Sequence, residues 1–249
     1  MSTDRAGKTV VITGTSRGIG HHLARCFLAL GYRVVGISRS GTPLEHEAFT
    51  QIRADVGDLA QIAAIRNRLS DPTICGLINN AGIHGPIGPF ESDDLGKWVA
   101  TFYVNLFGGA ALSQACIPSL RRNKGFIIFL SGGGSAFPRP NFSAYGVSKT
   151  AVVRLSEVLA RELHPDVLVY CVAPGPTRTQ LLEEAIRGGE VVPEAEIVDP
   201  TFAERLCVFL SNNRDPRYSG KFIHVKDRYQ QWGDAELARG AYTLRRIKV

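Results

Sequence analysis

Tyr145 and Lys149, the aromatic and basic residues of "YGVSK", stand four positions apart. On a helix, positions i and i+4 share a face, so a phenol and an ammonium would project side by side. That pairing suits the transfer of a proton to or from an oxygen. A free phenol has a pKa of about 10, and bringing it to about 7 takes roughly 4 kcal/mol of preferential stabilisation of the phenolate. One ammonium about 4 Å away, at an effective dielectric near 20, contributes about that much. The chemistry on offer is the interconversion of a carbonyl and an alcohol, with a hydride moving at carbon and a proton at oxygen. A run of glycines and serines, "LSGGGSAF" from Leu130 to Phe137, precedes the pair and offers groups to polarise a carbonyl. The plainer alternative is an ordinary helix whose tyrosine and lysine are unrelated.

Hydride chemistry needs a carrier, and the N-terminal part of the chain offers a seat for one. "TGTSRGIG" (Thr13 to Gly20) lies between the apolar run "TVVIT" and an amphipathic segment. Gly14 allows a tight turn, Gly18 lets the backbone approach a pyrophosphate, and Gly20 permits close packing of the following helix. The N-terminus of that helix presents free N–H groups and a positive dipole end. Ser16, Arg17 and Ile19 complete the loop. The spacing is Gly-x-x-x-Gly-x-Gly, so the strand–loop–helix setting, more than the glycines alone, argues for a nucleotide site. The second apolar run ends in Ser38-Arg39-Ser40. A site selecting NAD usually carries an acidic residue there for the ribose hydroxyls. Arg39 can instead grip a 2′-phosphate, with Ser38 hydrogen-bonding it and Arg17 adding charge. The expected cofactor is therefore NADP; the alternative is that Arg39 is merely solvated. "ADV" places Asp55 and Val56 near the adenine. "NNAG" brings Asn79, Ala81 and Gly82 to the carboxyl edge of the sheet, where ligands bind. Asn79 and Asn80 could equally brace loops.

These residues need a scaffold, and the periodicity describes one. Strands are expected at Thr9 to Thr13, Arg33 to Ser38, Phe49 to Ala54, Gly76 to Asn79, Phe126 to Leu130, Val167 to Val172 and Lys221 to Val225. Most are short apolar runs, the pattern of strands buried on both faces. Helices are expected between them: after Gly18, with Ile19, Leu23, Cys26, Phe27 and Leu30 on one face; after Asp58, which forms a capping box with Gln61; from about Asp94 to Ser119; from Ala144 to His164; and near Phe202 to Leu210. This alternation predicts a doubly wound α/β fold with a mostly parallel sheet and helices on both faces, one domain over residues 1–249.

Composition narrows the class. Hydrophobic residues make up 44% and charged residues 21% of the 249, an ordinary globular balance. No apolar run approaches the roughly 20 residues of a membrane span, so no membrane partner is expected. The five cysteines are scattered and odd in number, which reads as reduced thiols in a cytoplasmic protein. His21 and His22 are adjacent and would diverge on a helix, so no metal site is expected. The net charge of +6 is spread out, apart from a short basic run of Arg245, Arg246 and Lys248. It suits an anionic cofactor as well as any nucleic acid, and no nucleic-acid partner is expected.

Taken in order and spacing, "TGTSRGIG", "ADV", "NNAG", "VNLFG", "YGVSK" and "PGPTRT" resemble the short-chain dehydrogenase/reductase family, in its single-domain branch, from Lys8 to Val225. The resemblance implies a Rossmann-type seven-stranded sheet, NAD(P)-dependent oxidoreduction of a small-molecule carbonyl or alcohol, and commonly a homodimer or homotetramer. It implies that Asn105 holds a water linking the lysine to solvent and that Thr179 lies near the nicotinamide amide. Pro174 and Gly175 would shape the turn after the sixth strand, with Thr177 in the same motif.

The chain departs from the family's pattern twice. The substrate-orienting serine usually lies 13 residues before the tyrosine, where this chain has Gly132. Ser131 serves if the loop holds one extra residue; otherwise Ser135 or a backbone N–H takes over carbonyl polarisation. At the C-terminus, residues 226–249 continue past the last strand with Trp232, Leu237, Tyr242, Leu244 and Ile247, too apolar for a free tail. They are expected to pack on their own subunit or a neighbour, with a roof over the active site as one outcome. Residues 176–200 read as a mobile substrate lid, in which Arg178 and Arg187, like Arg139 upstream, are either anion-binding or solvated. The functional readings are an NADP(H)-dependent oxidoreductase using Tyr145, Lys149, Ser131 and Asn105, and alternatively a non-catalytic NADP-binding sensor or scaffold. A nucleotide-sugar epimerase would need a larger substrate domain.

Overall fold

The structure is a computed structural model and describes residues 5–238 and 240–244. The tail residues Arg245, Arg246, Ile247 and Lys248 lie outside that range. Seven strands form one sheet: β1 (Thr9–Thr13), β2 (Arg33–Ser38), β3 (Phe49–Arg53), β4 (Ile74–Asn79), β5 (Phe126–Leu130), β6 (Leu168–Ala173) and β7 (Phe222–His224). Their order is β3-β2-β1-β4-β5-β6-β7, and every pairing is parallel. The sheet is thus a Rossmann-type one.

The inner strands are largely apolar because both faces are covered, whereas the edge strand β3 (Phe-Thr-Gln-Ile-Arg) buries only Ile52. Val10, Ile12, Ile78, Phe126, Ile128 and Tyr170 pack with Leu23 and Phe27 of α1 (Gly18–Ala29) and Leu206 and Leu210 of the helix Pro200–Asn212. Val11, Leu77, Ile127, Phe129 and Cys171 face the opposite way, against Leu112 and Leu120 of the helix Gly108–Arg122 and Val152 and Val153 of the helix Ser143–Glu162. Successive residues of one strand therefore enter different layers, as the pleat requires. In chain order the helices after α1 are α2 (Leu59–Ala64), α3 (Leu95–Phe102), α4 (Gly108–Arg122), α5 (Ser143–Glu162), α6 (Gln180–Arg187), α7 (Pro200–Asn212) and α8 (Asp234–Leu237).

Several elements differ from the sequence expectation. Asp58 does cap α2, accepting from the N–H groups of Ala60 and Gln61. Gln61 Nε2 donates back to Asp58 Oδ2 at 2.9 Å, but its Oε1 accepts from Asp55 N instead of Asp58 N, so the backbone bond of a capping box is not made. The long helix expected from Asp94 is two helices, α3 and α4, joined by a π-helical turn over Tyr103–Phe107. Inside the stretch expected to be irregular, Thr179 caps α6. A bridge between Thr177 and Val198 closes the base of this segment.

The C-terminal segment packs on its own chain. The Trp232 ring sits between Tyr218, at 5.6 Å, and Tyr242, at 4.3 Å. Phe222 N donates to Tyr242 O beside β7, and Leu244 N donates to Glu157 Oε1 at 2.6 Å. None of its described residues lines the main cavity, so that part of the segment does not roof the site. Elsewhere, Leu95, Val99, Tyr103 and Phe107, spaced by four along α3 and the π turn, are exposed. No described helix is long and apolar enough to cross a membrane.

Candidate active site

One cavity of about 790 Å³ runs along the carboxyl ends of the strands, from the glycine loop after β1 to Tyr145 on α5. Its start is the switch point of the sheet, where β1 neighbours both β2 and β4, the place that opens a crevice in doubly wound folds. There Thr13 Oγ1 accepts from the N–H groups of Asn80 and Ala81, each at 2.9 Å, and Asn80 Nδ2 donates to Thr13 O at 2.8 Å. These bonds stitch the β1 loop to the β4 loop. Gly14 adopts φ 74° and Gly18 φ 57°. A Cβ on Gly20 would collide with Gly14 O and Asn80 Nδ2, so the loop closes only over glycine. No acidic residue occupies the first turn of α1.

Gly14, Ser16, Arg17, Gly18 and Ile19 line the cavity, as do Ser38, Arg39, Asp55 and Val56 farther along it. Ala81 and Gly82 lie on its floor, and Pro174, Gly175, Thr177 and Thr179 form the opposite wall. Asp55 Oδ1 accepts from Gly57 N at 2.8 Å, and its Oδ2 is 3.8 Å from Arg39 Nη1. Three expected residues stand behind the cavity rather than in it. Gly20 supports the loop from beneath. Asn79 is turned inward and its Nδ2 donates to Ser113 Oγ at 3.3 Å. Asn105, held in the π turn, accepts from Ile83 N and donates to Ile83 O and Ser148 Oγ, all at 2.9 Å. It thereby fixes the β4 loop against α5. A π turn re-aims one residue of an otherwise regular helix, a device frequent at functional sites.

At the far end, Tyr145 and Lys149 are both buried. Lys149 Nζ lies 5.8 Å from the Tyr145 ring centre and donates to Leu130 O at 2.9 Å. Burial holds the ammonium down to a pKa of about 8. Burial also raises the tyrosine above its usual value; the Arg139 guanidinium opposes this and the Glu190 carboxylate adds to it. The simple estimate of one ammonium acidifying the phenol is thus outweighed in the free chain by the loss of water. Tyr145 stands as a phenol.

Ser131 continues the strand register, with its N–H donating to Val172 O at 2.8 Å. The pleat throws its side chain towards α5, where Oγ donates to Lys149 O at 3.1 Å. Ser135 Oγ, buried 2.9 Å away, bonds Gly132 O. The backbone facing the tyrosine belongs to Gly132, whose added Cβ would lie 2.5 Å from Tyr145 Oη. Each hydroxyl thus has a backbone acceptor, and of the two only Ser131 lines the cavity.

The cavity also holds residues that the sequence reading did not assign. His84 is buried with its ring 4.8 Å from that of Tyr145. Burial, then Arg139 and Lys149, depress its pKa to about 4, so its ring is neutral at pH 7. Its Nδ1 is buried without a partner. Its place, two residues past "NNAG" on the loop leaving β4, was the one available signal. Glu190, from the loop after α6, and His224, at the end of β7, reach the wall from parts of the chain distant in sequence, which no local pattern announces.

A family model described as short chain dehydrogenase matches residues 8–188. The chain belongs to the short-chain dehydrogenase/reductase family. It is 32% identical over 231 residues to the 2,3-dihydro-2,3-dihydroxybenzoate dehydrogenase of Escherichia coli, covering 84% of this chain and 92% of that one. It is 33% identical over 229 residues to the L-fucose dehydrogenase of Oryctolagus cuniculus, covering 83% and 80%. Among solved structures, the aldohexose dehydrogenase of Thermoplasma acidophilum superposes with a TM-score of 0.80 at 28% identity, covering 90% of this chain and 94% of that chain.

The family's oxidoreductases bind a nicotinamide dinucleotide, and this chain's glycine loop fits one: backbone without side chains at the point of approach, a helix N-terminus free of acid, and a cavity continuing to Tyr145. Replacing Gly20 by alanine should force the loop apart and weaken dinucleotide binding at least about tenfold. Titration of reduced-dinucleotide fluorescence checks this, and unchanged affinity would move the phosphates away from this loop.

Proposed function

We propose that the protein is an NADP(H)-dependent oxidoreductase that interconverts a carbonyl and an alcohol, with Tyr145 exchanging the proton. The observation that carries this reading is one cavity joining the glycine loop to a buried tyrosine–lysine pair. A bound nicotinamide supplies or accepts the hydride. The remaining chemistry falls to the chain. Tyr145 Oη gives its proton to the substrate oxygen during reduction, and the phenol form that burial enforces is the donor form. Lys149 supplies positive charge along the route, and Asn105 keeps the β4 loop in register with α5. NADP is favoured over NAD because β2 ends at Ser38 and leads into Arg39 and Ser40, without a carboxylate, and all three residues line the cavity. Binding a 2′-phosphate there would give Arg39 a stronger partner than Asp55, now 3.8 Å away.

Carbonyl polarisation is the open role. With the hydroxyls of Ser131 and Ser135 each on a backbone acceptor and Gly132 facing Tyr145, we assign it to His84. A neutral imidazole has one N–H to donate, and the His84 ring lines the cavity 4.8 Å from that of Tyr145. The vacancy at position 132 is also what favours the runner-up, a non-catalytic NADP-binding sensor of the same fold. Residues 176–200 act as the lid in either reading. The exposed Leu95, Val99, Tyr103 and Phe107 stripe suits a homodimer or homotetramer.

Four outcomes test these assignments. On a panel of carbonyls and alcohols, Tyr145→Phe should lower kcat by about 10²–10⁴-fold while NADPH affinity stays within about twofold; equal loss of both would make the residue structural. His84→Ala should cost about tenfold or more in kcat, against little for Ser131→Ala, and the reverse order would return the role to the serine. Arg39→Asp should turn the NADPH/NADH preference towards NADH by at least about tenfold, and an unchanged ratio would remove the 2′-phosphate argument. Val99→Glu should give a smaller species by light scattering, whereas an unchanged mass would place any self-contact elsewhere.

A further inference from the structure

Of the three arginines that flank the substrate end, two are ordinary surface groups. Arg178 is 67% exposed and pairs with Glu194, and Arg187 is exposed and donates to Glu183 O at 3.3 Å. Arg139 differs. Its side chain is only 21% exposed and lines the cavity. The guanidinium carbon lies 3.8 Å from the Phe142 ring centre and 5.5 Å from that of Tyr145. A permanent cation has thus been drawn out of water to within one side chain of the candidate proton donor. Such a charge is costly unless an anion meets it. The anion is the Glu190 carboxylate, bonded to Arg139 Nη2 from the loop that follows α6.

We propose that the substrate carries a carboxylate, which Arg139 binds in the place that Glu190 occupies in the free protein. This deepens the oxidoreductase reading and rests on it. Three features argue for exchange rather than a permanent tie. First, the pair is incomplete. Arg139 Nε is buried without an acceptor, although a guanidinium offers a fork that a carboxylate can fill with two parallel bonds. Second, Glu190 can leave at low cost. Its N–H is tied to Ala185 O at 3.0 Å, just beyond the end of α6, so the backbone stays fixed. Its side chain is 25% exposed and can rotate into water. Third, no second anion among the described residues pairs with the arginine. His84, facing Tyr145 across 4.8 Å, is neutral, and Lys149 is cationic up to about pH 8. The other acidic residues of the cavity are Asp55, Glu184 and Glu196, and none of them has an ion pair with Arg139.

The exchange also conserves charge beside the tyrosine. Glu190 favours the phenol and Arg139 opposes it; one carboxylate replacing another leaves that balance unchanged. A neutral substrate would instead find the arginine already occupied. The substrate class is therefore a small keto acid, or the corresponding hydroxy acid, with its carboxylate and reacting carbon within one short molecule's length.

The test reads binding directly, so it does not depend on turnover. Benzoate and butyrate, each paired with its own amide, are titrated calorimetrically into the dinucleotide-saturated protein. The acids should bind at least about tenfold tighter than the amides, the margin expected of a charge-assisted contact. Arg139→Gln should erase that margin. Glu190→Gln should raise affinity for the acids severalfold and leave the amides unchanged, which keeps the test decisive if the arginine variant misfolds. Equal affinities for acid and amide in both the wild type and Glu190→Gln would overturn the proposal. Loss of carbonyl turnover with the acid preference intact would instead count against the oxidoreductase reading alone.

Discussion

Removal of water from Tyr145 and Lys149 governs this site. Both side chains sit at the carboxyl end of β5 beneath the loop Gly132–Phe142, and burial favours the neutral form of each. In water, the two groups would hold their protons nearly independently of the chain around them. In a dry pocket each nearby charge counts for more, so the protonation of the tyrosine is set by Arg139, Glu190 and whatever cation a bound dinucleotide brings. The bonds of Thr13, Asn80 and Asn105 hold the β1 and β4 loops and α5, which carries the tyrosine, against one another.

That dependence explains why the substrate end is built from long-range pairs. Arg139 and Glu190 are 51 residues apart, and their pairing joins the loop after β5 to the segment after α6. Thr179 caps α6, and a Cβ on Gly18 would stand 3.2 Å from its methyl group, so the same segment lies beside the phosphate loop. A cofactor and a substrate would therefore press on one element from its two ends. A segment closed at its base by Thr177 and Val198, and free of sheet pairing beyond that bridge, can respond without disturbing the sheet.

Much of the scaffold was legible because both faces of the sheet are buried. Strands that must be apolar on both sides announce their limits, and β1, β2 and β5 begin and end where the apolar runs do. β4 starts two residues earlier than expected, because Ile74 and Cys75 extend the same buried row. The π turn was hidden because the stretch around Tyr103 to Phe107 is apolar on several sides and shows no break in period. The glycine loop and the Tyr145–Lys149 pair were visible as local spacing. The orientation of Ser131 and Asn79 was not, since a side chain's direction at a strand end depends on register with neighbouring strands. His84, Arg139 and Glu190 meet only through the fold, and no window of sequence contains them together. The acidity of Tyr145 was misjudged for the same reason: a pairwise Coulomb estimate omits desolvation, which only the folded surroundings supply.

The account turns on a tyrosine whose proton is held by burial and released by charge. Ultraviolet difference titration of the wild type against Tyr145→Phe isolates that one phenol among the seven tyrosines. In the free protein its ionisation should lie above the ordinary pKa of about 10, and saturating oxidised dinucleotide should draw it down by at least about one unit. A titration already near neutral without cofactor, or one that cofactor leaves unmoved, would contradict the account.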